Sequence, residues 1–147
     1  MQAGIEKRSV QTHYYEIEPC PKEVKKGEIS MAIYEITPVP KPRMSKRDKW
    51  KKRPCVMRYW QFCDEVRLAR VELPFYGAKI VFRIPMPDSW SAAKKANSDG
   101  TPHQQRPDLT NLAKAIEDAC YGEDAAIWHY SGLEKRWGYK GAIEITY

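Results

Sequence analysis

The chain is poor in cysteine and has no long apolar run. Its four cysteines, Cys20, Cys55, Cys63 and Cys120, form no CxxC pair and fall at no zinc-finger spacing. A disulfide framework and a structural zinc site are therefore excluded as expectations, and the thiols read as reduced, as in a cytoplasmic protein. No stretch approaches the roughly 20 apolar residues that span a bilayer, so no membrane partner is expected. The start of the chain, with Glu6, Lys7 and Arg8, lacks the apolar segment of a signal peptide, and the protein is expected to stay inside the cell. There is no internal repeat. At 147 residues the chain suits one compact domain with a real core and is too short for two comfortable ones.

Charge of one sign is abundant. Lys and Arg number 25 against 19 Asp and Glu, which favours a polyanionic partner such as nucleic acid. Between Lys41 and Arg58 the chain reads KPRMSKRDKWKKRPCVMR, dense in cations with Asp48 as its single acid. Arg43, Lys46, Arg47, Lys49, Lys51, Lys52 and Arg53 can neutralise phosphates, and Trp50 among them can stack on a base. Arg106 stands ahead of the best helix, and Lys135 and Arg136 lie in a second basic stretch, EKRWGYKG. Singly, each is explained as a solvated charge; together, like charges this dense repel one another until a counter-charge arrives.

Residues 1–28 are polar and without a period, and read as a loosely ordered or arm-like extension; 29–147 form the domain. Alternation over 29–37 predicts a strand, stopped by PVPKP. Val56, Tyr59, Trp60, Cys63 and Val66, behind Pro54, predict a helix over 54–71. The run AKIVFRIPM predicts a strand over 77–86, and 88–107 reads as a long loop. The clearest helix is 108–120. Leu109, Leu112, Ala113, Ile116 and Ala119 form its apolar stripe, with Asn111, Lys114 and Asp118 on the far side. Two further strands are expected over 125–130 and 141–147, joined by the second basic stretch. The order β, α, β, α, β, β implies an α+β fold, a small mixed sheet covered by two helices.

Asp108, Asp118, Glu123 and Asp124 fall within seventeen positions, with Lys114 between them. Two or three converging carboxylates suffice to hold Mg²⁺ near a phosphate. The same acids also fit a bland account, in which Asp108 caps a helix, Asp118 is solvated and Glu123 with Asp124 opens a turn. Residue types leave both accounts open.

The string RPDLTNLAKAIEDA, followed by GEDAAI, resembles the motif of the RusA family of phage and prophage Holliday-junction resolvases. That motif is an aspartate, Leu or Ile, a second aspartate, Asn-Leu, then Lys-Ala, with later acids. KPRMSKRDKW and FRIPMPDSWS add weaker support, so the resemblance covers roughly 29–147. It implies a dimeric, Mg²⁺-dependent endonuclease, with Mn²⁺ as a possible substitute and no small-molecule cofactor, that makes paired nicks in four-way DNA junctions in a bacterial cell. Asp108 and Asp124 then correspond to metal ligands and Lys114 to the lysine needed for cleavage. Thr110 stands where the family has its second aspartate, so Glu123 or Asp118 is the expected replacement. The alternatives are a branched-DNA-binding protein that cuts weakly or not at all, and a basic α/β interaction domain with no nucleic-acid role.

Overall fold

The computed structural model describes residues 29–121 and 124–147, with Asp124 described through its backbone alone. The expected extension over 1–28, Cys20 included, lies outside the described residues. The elements are β1 (Met31–Tyr34), α1 (Pro54–Leu68), β2 (Ala78–Pro85), α2 (Ala92–Ser98), α3 (Leu109–Cys120), β3 (Tyr130–Gly138) and β4 (Ala142–Thr146). They form an α+β domain with one four-stranded mixed sheet in the order β1-β4-β2-β3. β4 is antiparallel to both neighbours, while β2 and β3 run parallel.

Alternation along the strands separates two faces. Ile80 and Phe82 of β2 stand opposite Ile145 and Ile143 of β4, and all four are fully buried. Tyr59, Phe62, Cys63 and Val66 of α1 and Leu112, Ala115, Ile116 and Ala119 of α3 pack over them as one core. Each large apolar side chain there contributes roughly 1.5–3 kcal/mol by leaving water. The other face carries charge in pairs: Lys79 with Glu134 at 3.0 Å, Arg83 with Glu144 at 3.0 Å and Arg136 with Glu134 at 2.8 Å. Gly141 turns the chain from β3 into β4 so close to Thr37 that a Cβ would lie 2.4 Å from the threonine Oγ1, a contact only glycine permits.

Both main helices and β1, β2 and β4 lie where periodicity puts them. Two expectations fail. The segment 88–107 is not a bare loop: Ser91 caps the short helix α2 by accepting from the Lys94 amide at 3.3 Å. Trp90 packs on Trp137 at 4.8 Å, and the Lys94 ammonium sits 4.0 Å from the Trp90 ring centroid. α2 has no buried residue, so it leaves no apolar stripe for periodicity to detect. The segment 125–130 is not a strand either. A 3₁₀ turn, Asp124–Ala126, occupies its start, and the strand is Tyr130–Gly138, inside the stretch read as a basic loop. Its charges hid it.

Cys55, Cys63 and Cys120 are free, and burial pushes the Cys120 thiol up to about 11. No helix among the described residues is long and apolar enough to cross a membrane.

Candidate nucleic-acid interface and acidic helix

Helix α3 positions most of the motif. Its apolar stripe is buried against α1 and the sheet, which turns Thr110, Asn111, Lys114 and Asp118 outward. Asp108 occupies the N-cap position with extended backbone (φ −70°, ψ 140°), yet its side chain makes no capping hydrogen bond and is exposed. Simple capping therefore does not account for this carboxylate. Lys135 fixes the chain that enters the helix: its Nζ donates to the carbonyls of Gln105 at 2.6 Å and Pro107 at 2.5 Å.

Asp118 is engaged elsewhere. Its Oδ2 accepts from Lys41 Nζ, and Lys114 Nζ lies 3.5 Å from its Oδ1. Ten residues of helix also separate it from Asp108, about 15 Å along the axis at 1.5 Å per residue. One cation with ligands near 2 Å cannot take both carboxylates from this helix. Asp124 opens the 3₁₀ turn beyond the opposite end of α3, its side chain outside the description, and Glu123 lies outside the described residues.

Among the described residues no group of three or more His, Cys, Asp or Glu side chains comes together to hold a metal. Of the four expected donors, the described side chains are Asp108 and Asp118, which stand at opposite ends of α3, and Asp108 has only the neutral Thr110 hydroxyl two positions on. Asp108 does not make a Mg²⁺ site by itself, since a hard divalent cation calls for two or more anionic oxygens beside its waters.

The basic segment is built around its one acid. Asp48, at the third position of the 3₁₀ turn Lys46–Lys49, is 4% exposed. It accepts from Arg53 Nε at 2.5 Å, Arg53 Nη2 at 2.7 Å and the Ser45 amide at 2.5 Å. Led by the Arg53 hydrogen bonds, these donors hold its carboxyl at about 2. Arg53 Nη2 also donates to the Arg43 carbonyl at 2.8 Å, closing the segment on itself. Around this clasp Arg43, Lys46, Arg47, Lys49, Lys51 and Lys52 are exposed, and Trp50 is 85% exposed. Arg53 is exposed as well, but its guanidinium is committed to Asp48.

The second basic stretch behaves differently. Lys135 points to the helix side and is bonded to carbonyls, while Arg136 bonds Glu134 at 2.8 Å and the Gly100 carbonyl at 2.8 Å. Arg106 is exposed just ahead of Asp108. His103 is buried and packs 4.1 Å from the Trp137 ring. Burial first, and then the Lys135 charge, lower its pKa, in keeping with a packing residue.

Sequence reading passed over Lys41 as an individual. Its amide donates to the Asn111 carbonyl at 3.2 Å, so the head of the basic segment is fastened along α3. The side-chain bond to Asp118 joins residues 77 positions apart, and only its place at the head of the cationic run marked Lys41 beforehand. The exposed stack of Tyr76 on Trp128, centroids 4.8 Å apart, was also missed, because its members lie in two separate connections.

No curated protein matches the chain. The family described as Endodeoxyribonuclease RusA matches residues 35–146, which takes in the basic segment, α3 and every strand after β1. On that match, over most of its length, the chain belongs to the RusA endodeoxyribonuclease family, whose members resolve Holliday junctions.

Proposed function

We propose that this chain is a junction-resolving endodeoxyribonuclease that hydrolyses phosphodiesters on two opposed strands of a four-way DNA junction. The observation that carries the proposal is the docking of the basic segment onto α3. Lys41 ties the loop that displays six exposed cations and Trp50 to the helix face that carries the motif residues Asn111 and Lys114. Phosphates held by that loop lie beside those side chains. The Lys114 ammonium steadies negative charge on a phosphate oxygen, and Trp50 stacks on a base exposed at the crossover.

A divalent cation, Mg²⁺ or Mn²⁺, is part of the proposal. Asp108 is its one described ligand, Asp124 and Glu123 are the further candidates, and Asp118 belongs to the two lysines instead. When bound, the cation supplies Lewis-acid stabilisation of the charge that builds on the phosphate. A homodimer suits the substrate, because a four-way junction has approximate two-fold symmetry and must be nicked twice. A bacterial cytoplasm and a phage or prophage origin complete the reading.

Thr110 favours one second reading, a branched-DNA-binding protein with little or no cleavage. One experiment separates the two. Wild type and Thr110→Asp are incubated with a labelled four-way junction and a matched linear duplex, in Mg²⁺, in Mn²⁺ and in EDTA. Metal-dependent paired nicks by the wild type are expected. Tight junction binding without nicks, with cleavage gained by Thr110→Asp, establishes the binding protein instead. Asp108→Asn and Asp124→Asn are each expected to abolish nicking and to leave junction binding largely intact; nicking at the wild-type rate by either removes that residue from the metal site.

A further inference from the structure

An open cleft of about 330 Å³ lies where the basic segment meets α3, lined by Lys41, Pro42, Arg43 and Asn111. Asn111 stands three residues ahead of Lys114 and seven ahead of Asp118, so the three share one helix face. Asp118 bridges the ammonium groups of Lys41 and Lys114, one on each carboxylate oxygen. The carboxylate side chain is 19% exposed, while Lys41 and Lys114 are 32% and 41% exposed. The acid therefore sits behind the two cations and the cations face the solvent. The cleft lining itself carries two positive charges, Lys41 and Arg43, and the Asn111 side-chain amide as a neutral donor, with Asp118 joined to Lys41 beside it.

We propose that this cleft is a subsite for one phosphodiester of the DNA backbone, and that Asp118 is its built-in counter-ion, a positioning residue and not a metal ligand. The proposal rests on the DNA-cleaving reading above and names where one phosphate is held. A lysine is a mobile point charge on a long stem, and two unpaired lysines this close repel one another. A carboxylate between them fixes their separation before substrate arrives, so that an incoming phosphate oxyanion meets an ordered pair. Asp118 also sets the place of Lys114, which links the subsite to cleavage.

The test has two readouts. In EDTA, the affinity for a four-way junction is measured over a range of KCl concentrations for wild type, Lys41→Gln and Lys41→Arg. Losing one phosphate contact is expected to weaken Lys41→Gln about tenfold and to lower the slope of log K against log salt by about one, while Lys41→Arg keeps the slope. Unchanged affinity and slope in Lys41→Gln overturn the subsite. If that variant does not fold, Arg43→Gln, on the exposed wall of the same cleft, gives the same readout.

In the second readout, nicking is followed against Mg²⁺ concentration for Asp118→Asn and Asp118→Glu. The maximal rate is expected to fall about tenfold in Asp118→Asn with half-saturating Mg²⁺ unchanged, and Asp118→Glu is expected to recover part of it. A large rise in half-saturating Mg²⁺ with the maximal rate retained makes Asp118 a metal ligand and overturns its assigned role. Inorganic phosphate, titrated at constant ionic strength, separates the two sources of a phosphate group. Weak competition fits a backbone phosphodiester, whereas competition below millimolar phosphate makes this a site for a free phosphate and overturns the assignment. If wild type binds neither junction nor duplex, the DNA reading itself fails; if it binds both but Lys41→Gln behaves as wild type, only the subsite fails.

Discussion

In the segment 43–52 the cations stand in solvent around a buried carboxylate, whereas in 134–140 Lys135 and Arg136 are bonded into the fold. Asp48 takes three donors and draws in only Arg53, so its neighbours stay outward. Lys135 spends its ammonium on two carbonyls at the entrance to α3, and Arg136 ties Glu134 to the Gly100 carbonyl. The difference teaches that local charge density marks a binding surface only where the backbone leaves the charges unpaired. A 3₁₀ turn with one buried acid does that; an edge strand packed between β2 and the segment 100–103 gives its charges partners.

The strongest way to break this comparison is to remove charge from the first region. Lys49→Gln, Lys51→Gln and Lys52→Gln combined are expected to lower the salt slope of junction binding by about three and the affinity by on the order of 10²-fold, with the thermal midpoint unchanged. Lys135→Met is the mirror experiment. It is expected to destabilise the fold by about 1–3 kcal/mol, read by urea unfolding, and to leave the salt slope alone. A lowered slope with unchanged stability would move Lys135 into the interface and collapse the distinction.

Trp50→Ala is expected to cost about 1–3 kcal/mol in junction binding and nothing in stability, because the ring is 85% exposed and therefore has little packing to lose. Binding equal to wild type removes the stacking role.

A smaller effect sharpens the account of the clasp. The Asp48 carboxyl is held at about 2, against an ordinary 3.8. A depressed carboxylate contributes its full stabilisation above its unfolded value and loses it as pH falls through the folded one. Asp48→Asn is therefore expected to flatten the acid unfolding curve between about pH 4 and pH 2. An unaltered curve would mean that the Arg53 bonds contribute nothing to the fold.

The smallest predicted effect concerns His103, whose pKa is lowered by burial and by Lys135. Its stabilising share is present above the ordinary value of 6.5 and is lost as pH falls below it. Lys135→Met is expected to raise the His103 pKa slightly, seen by NMR titration, because it removes the like charge and leaves the burial. No upward movement would place Lys135 too far from the ring to matter.

How much could be read beforehand follows from the range of the interactions. α1, α3, β2 and β4 each bury one face, and a buried face writes its period into a few adjacent residues. α2 buries no residue, and β3 places Glu134, Lys135 and Arg136 in mid-strand, so neither carried such a mark. In the candidate site, Asp108 and Lys114 stood out in the sequence because the motif is continuous along one helix. The contact of Asp118 with Lys41 was not legible, since the two are 77 positions apart.

The sequence by itself determined the α+β class, the family, the motif helix and the cationic surplus between Lys41 and Arg58. Those properties are local or compositional, and each is written in consecutive residues. Only the tertiary structure decided which charges face outward and which are held inward. Lys41 reaches Asp118 across 77 positions, and Lys135 reaches back to Pro107 across 28. Electrostatic partnership depends on separation in space, a few ångströms through a poorly screening medium, and the order of residues along the chain does not specify that separation until the chain has folded.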